Sequence, residues 1–146
     1  MSAPAHIDSL HFAKSGSELS GQLKVDQLPR LRDSLDRDDV AVQYRISGLT
    51  ADGRPALRVQ IEVEVWQTCQ RCLERFPLSL ELDEVLPIAR TAAQLSYWED
   101  LDPLLDALVA ERQMDIAGLV EDEILLGLPT APRHPDGECE VLALNQ

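Results

Sequence analysis

Between Leu57 and Val65 every second residue is aliphatic: Leu57, Val59, Ile61, Val63 and Val65, with Arg58, Gln60, Glu62 and Glu64 between them. Successive side chains on a strand point to opposite faces, so this run predicts a half-buried strand with one apolar side. The same period occurs at Val40, Val42, Tyr44 and Ile46, and again at Leu78, Leu80 and Leu82, the last extending toward Ile88. The joining segments are too short for helical crossovers, so the strands should pair antiparallel as a meander. Gly48 to Gly53 reads as the turn between the first two. One sheet face is then apolar and needs a cover.

The cover is predicted near the end of the chain. Ile116, Leu119, Val120, Ile124 and Leu128 recur at helical spacing, Asp115 is placed to cap the helix, and Pro129 stops it. A shorter N-terminal helix is expected over Asp26–Leu35, where Leu28, Leu31 and Leu35 are spaced by three and four and Pro29 falls in the first turn. Leu10–Ala13 and Gln22–Val25 read as short strands. Thr91–Leu95 opens a helix, Glu99–Pro103 an acidic loop, and Asp106–Arg112 suits helix or strand. Thr130–Glu140, rich in Pro and Gly, reads as a loop. The expected fold is α+β: a single domain over 1–146, its antiparallel sheet curled toward a barrel and covered by the C-terminal amphipathic helix. Residues 1–20 and 91–105 are its expected flexible parts.

At 146 residues and 45% hydrophobic the chain can build one core, but 13 basic residues face 26 acidic ones, a net charge of −13. The imbalance is local: residues 97–146 hold 12 of the acids and 2 of the bases. Such an excess argues against gripping nucleic acid with the whole surface and favours basic partners, metal ions or simply solubility. Two Phe, two Tyr and two Trp are too few for an extended base-stacking platform. No signal peptide is visible, and the longest apolar patch, Ile124–Leu128, is too short to span a bilayer, so a cytoplasmic protein with no membrane partner is expected. Three cysteines, an odd count, do not suit a disulfide framework.

Those cysteines sit in two places, Cys69-Gln-Arg-Cys72 and His134-Pro-Asp-Gly-Glu-Cys139. Cys69, Cys72, His134 and Cys139 match the ligand set of a closed, structural Cys3His zinc site; ordinary reduced cysteines beside a turn are the alternative. A redox dithiol would need a helix after the pair, whereas Phe76-Pro77 and an alternating strand follow. Glu121, Asp122 and Glu123 point about 100° apart on a helix, which suits a solvated face, and a docking surface for a basic partner, better than a metal cluster. Arg54, Arg58, Arg71 and Arg75 bracket the second strand beside Trp66. They fit a limited RNA contact, carried by Arg71 and Arg75, or surface arginines paired with Glu62, Glu64 and Glu74. No nucleophile triad, selective carboxylate pair or Gly-rich phosphate loop stands out, so neither enzyme activity nor a small-molecule substrate is expected.

Two segments together resemble the bacterial YceD family of large ribosomal RNA subunit accumulation proteins. One is Cys69-Gln-Arg-Cys72 with Phe76 four residues on; the other is Asp115-Ile-Ala-Gly-Leu-Val-Glu-Asp-Glu-Ile-Leu-Leu-Gly-Leu-Pro129, followed by Pro132-Arg-His134 and Cys139-Glu-Val141. The resemblance covers roughly residues 22–141. Cys69, Cys72, Glu121, Asp122, Glu123, Pro129, His134 and Cys139 match the family's recurring motif. It implies a non-enzymatic role in the synthesis, processing or stability of large-subunit (23S) ribosomal RNA, with that RNA or its assembly proteins as partners. A zinc-binding protein–protein adaptor without RNA contact is the alternative.

Overall fold

The computed structural model describes residues 6–31 and 41–129. In chain order these form β1 (His6–Ile7), α1 (Ser9–Ser15), β2 (Glu18–Lys24), a 3-10 turn (Val25–Gln27), β3 (Ala41–Ala51), β4 (Arg54–Thr68) and β5 (Arg75–Ala89). They continue with α2 (Ala92–Leu101), β6 (Leu108–Val109), β7 (Met114–Asp115) and α3 (Ile116–Gly127). The fold is α+β, with a sheet of order β2-β3-β4-β5-β6 and a small β1-β7 pair.

The alternating run lies at the centre of the sheet as β4. Its odd-numbered aliphatics meet those of β3 and β5 on one face, with Tyr44 opposite Ile61, Ile46 opposite Val59, Leu82 opposite Ile61 and Leu86 opposite Leu57. Ile46, Leu57, Val59, Ile61 and Val65 are almost wholly buried there. The outer face carries the charged alternates, including Glu62 directly opposite Glu81, and the pairs Arg58–Asp83 and Arg45–Glu18.

The sheet stays open. β2 and β6 form its edges, and β6 has two residues, too little strand to close a barrel. It is also not wholly antiparallel. β6 runs parallel to Ile88–Ala89, and α2 supplies the crossover that a parallel pair needs. α2 extends into the expected acidic loop because it is well started: the Thr91 hydroxyl accepts from the Gln94 amide at 3.1 Å, and buried Trp98 holds its middle down.

Other expectations shift for local reasons. The strand expected at Leu10–Ala13 is instead α1, capped by Asp8, whose carboxylate accepts from the His11 amide, and closed by left-handed Gly16. The Gln22–Val25 strand begins earlier, at Glu18. The turn expected from Gly48 is part of β3. The reversal is confined to Asp52-Gly53, both at positive φ (51° and 78°), the two-residue hairpin loop that suits strand twist. The helix expected over Asp26–Leu35 begins as the 3-10 turn and a bend; Leu28 and Leu31 are fully buried, and Leu35 lies outside the described residues.

The apolar face has two covers rather than one. α3 packs on β4 and β5, and α1 on β3 and β4. α1 approaches so closely that a Cβ on Gly48 would stand 2.1 Å from the Phe12 carbonyl oxygen, which is why glycine stands there. Asp115 is the residue before α3, as expected, although its side chain makes no capping hydrogen bond.

Candidate functional site

The Cys69–Cys72 segment is the tight connection between β4 and β5. The Cys69 amide donates to the Glu74 carbonyl at 2.8 Å, and the Leu73 amide donates to the Cys69 carbonyl at 2.8 Å. Cys69 is buried and forms a small cluster with Phe76, against which half-buried Cys72 and Leu78 pack. At the tip Leu73 holds φ 66° with its side chain 73% exposed. A left-handed leucine costs about 1–2 kcal/mol, and strain of this kind gathers at functional positions. Arg71 and Arg75 are exposed beside it, and Arg75 Nη2 reaches the Trp66 carbonyl at 3.5 Å.

The four arginines do not form one patch. β4 is 15 residues long, so its two ends lie on the order of 40 Å apart. Arg54 and Arg58 belong to the far end, and both are engaged: Arg54 stacks over the Trp98 ring at 4.3 Å, and Arg58 pairs with Asp83, holding that carboxyl below its usual pKa. Arg71 and Arg75 lie at the opposite end, in and just after the β4–β5 connection. Cys69 and Cys72 share one turn, while His134 and Cys139 lie outside the described residues. Among the described residues no three His, Cys, Asp or Glu side chains are grouped closely enough to hold a metal ion.

Glu121, Asp122 and Glu123 are not a solvated face. Glu121 is 4% and Glu123 6% exposed; only Asp122 faces water. The 100° helical step explains this. With buried Val120 at the centre of the apolar stripe, Asp122 lies nearly opposite, and Glu121 and Glu123 flank the stripe from its two sides. Glu121 is an internal clamp: its carboxylate accepts from Arg30 Nε at 2.6 Å and from the Arg30 amide at 2.9 Å. Arg30 Nη2 also reaches Asp122 at 2.7 Å. Together they fasten the Leu28–Leu31 bend to α3.

Glu123, on the other flank, faces a cavity of about 340 Å3 lined by Leu82, Glu84, Asp106, Glu123, Leu126 and Gly127. Glu84 was not among the residues the sequence pointed to, yet it carries a signal. By register it falls in the row Leu78, Leu80, Leu82, Glu84, Leu86 and Ile88 of β5, opposite Val59, although its own side chain is exposed. Its neighbour Val85 is correspondingly turned out, 42% exposed. Asp106 joins from the segment before β6. Burial, with the nearby charges of Asp106, Glu84 and Asp122, pushes the Glu123 carboxyl up to about 7. Gly127 lets α3 lie close here, since a Cβ at that position would come within 2.7 Å of Leu82 Cδ2. A larger depression, about 670 Å3, crosses the outer sheet face between Glu18 and Asp83 and is an open, polar trough.

The family model described as "Large ribosomal RNA subunit accumulation protein YceD" matches residues 57–146, a span that includes both the cysteine turn and the acidic cavity. A curated relative from Haemophilus influenzae, "Large ribosomal RNA subunit accumulation protein YceD", is 26% identical over 149 aligned residues, covering 98% of this chain and 82% of the relative. No solved structure matches the chain.

Proposed function

Since the chain belongs to the YceD family of large ribosomal RNA subunit accumulation proteins, we propose that it is a non-enzymatic cytoplasmic factor needed for synthesis, processing or stability of the large-subunit (23S) ribosomal RNA. The observation that carries this reading is the relative so named, aligned over 98% of the chain. Charge supports a scaffolding rather than a nucleic-acid-gripping role. At −13 overall, direct contact with phosphate is confined to places such as the Arg71–Arg75 tip, and the acidic remainder suits a basic assembly protein. Depletion of the protein, with the ratio of large- to small-subunit ribosomal RNA as readout, tests it. A selective fall in the large-subunit RNA is expected; an unchanged ratio in both normal and cold growth overturns it. Replacing Arg71 and Arg75 together with alanine should weaken crosslinking to that RNA at least several-fold, with circular dichroism reporting on the fold because Arg75 also bonds the Trp66 carbonyl.

A second reading, a zinc-binding adaptor without RNA contact, draws on the cysteine turn. Leu73 in the left-handed region, with its amide donating a hydrogen bond to the Cys69 carbonyl, holds Cys69 and Cys72 in one tight bend. Cys69, Cys72, His134 and Cys139 would supply four ligands, and the ion would be structural. On this reading protein purified without added metal carries one zinc per chain, and Cys72→Ser loses it. Zinc-free protein of unchanged stability ends it.

A further inference from the structure

Two carboxylates in this fold break the pattern of their own elements, and both line one cavity. By register Glu84 falls in the row of β5 that otherwise carries leucine and isoleucine, with its own side chain exposed, and Glu123 lies on the buried flank of α3. Asp106 completes the cavity between them. Glu123 is 94% buried although its carboxylate oxygens still reach solvent, and among the described residues no hydrogen bond or ion pair engages them. Buried carboxylates are ordinarily paired, and positions that violate local pattern are where function tends to be found.

The missing partner is positive, and its shape follows from the lining. About 340 Å3 is far more than a bare ion fills, and the three carboxylates do not converge on a single point as metal ligands would. Leu82 and Leu126 form the apolar part of the wall, and Leu126 is 74% exposed at the rim. A cation on an aliphatic stem satisfies both halves, its methylenes on the leucines and its head among Glu84, Asp106 and Glu123. We propose that this cavity receives the side chain of a lysine or arginine presented by a basic protein partner. The inference stands on the cavity and does not need the ribosomal RNA reading, which would only say where such a partner is found.

Among the described residues the charged groups close enough to act on Glu123 are Asp106 from the segment before β6, Glu84 from β5, and Asp122 from its own helix, all acidic. A cation entering the cavity therefore competes with the proton on Glu123, and binding should strengthen several-fold from pH 6 to pH 8.

The test uses the purified full chain, isotope-labelled, titrated at low ionic strength with N-acetyl-lysine methylamide and N-acetyl-arginine methylamide, followed by the amide signals of Leu126 and Gly127. Saturable millimolar binding of either probe is expected. The uncharged norleucine analogue should bind at least tenfold more weakly. The surface variant Glu84→Gln/Asp106→Asn, which leaves the buried Glu123 in place, should also lose at least tenfold. Glu123→Gln should remove the pH dependence. Equal response to the norleucine analogue overturns the proposal, as does binding unchanged in the double variant. Saturation by spermidine or Mg2+ without response to the amino-acid probes also overturns it, pointing to a polyamine or metal site instead. Because no ribosomal RNA enters this measurement, its failure is separate from failure of the depletion experiment.

Discussion

The carboxyl of Glu123 ties stability to pH in the direction opposite to most acidic residues. Its folded pKa, about 7, lies above the ordinary 4.5, so folding favours the protonated form. The stabilisation is complete below pH 4.5 and is lost as pH rises through 7. Solvent entering on the side of exposed Glu84 and Asp106 screens part of the effect. Glu123→Gln should therefore be more stable than the parent at pH 8 by about 1–2 kcal/mol and similar to it near pH 4.5, as read by urea unfolding at the two pH values. Its neighbours on the helix behave differently. Glu121 is buried against Arg30, so Glu121→Ala should cost about 2–3 kcal/mol, whereas Asp122→Ala, with both partners half in water, should cost under about 1 kcal/mol. Charge reversal across all three residues would confuse unfolding with loss of a partner; Asp122 alone reports on docking.

Among the elements, the contact between α1 and β3 is the most exacting. A methyl group at Gly48 would meet backbone atoms of α1, and backbone cannot turn aside as a side-chain end can. Gly48→Ala should therefore lift α1 from the sheet and lower stability by at least about 3 kcal/mol, with protection of the α1 amides from exchange lost first. At the β4–β5 connection the opposite is expected. Leu73→Gly removes a left-handed leucine and should be neutral to stabilising, by up to about 1 kcal/mol, unless the apolar tip is needed by a partner, in which case binding falls while stability does not. The strands themselves were readable because alternation over β4 admits one face assignment only. Helix α1 was not: seven residues are too few for a period to show, and Asp8 and Gly16, which stop it at either end, are common loop residues too.

Over the whole molecule the excess of negative charge acts on everything above. Glu62 faces Glu81 across β4 and β5, and the charge of −13 repels itself in the compact state. Raising salt from low to physiological ionic strength should increase the melting temperature by a few degrees, and the rise should be smaller in Glu62→Gln. The same field disfavours phosphate over most of the surface and favours basic chains there.

The sequence by itself determined the class of fold, the central strand, the covering helix from Ile116, and the grouping of Cys69 with Cys72, because each depends on near neighbours: alternation, helical spacing, a spacing of three within one short connection. It also contained, unremarked, the break at Glu84. What only the tertiary structure decided was which charges lose their water. Glu121 and Glu123 sit two residues apart on one helix, yet one is clamped by Arg30 from a bend 91 positions away and the other faces Glu84 and Asp106 with no cation near among the described residues. Burial and Coulomb energy depend on distances through space, and no local pattern records them. The parallel return of β6 had the same origin: two residues carry no period, and they became a strand because α2 brought them back to the edge of β5.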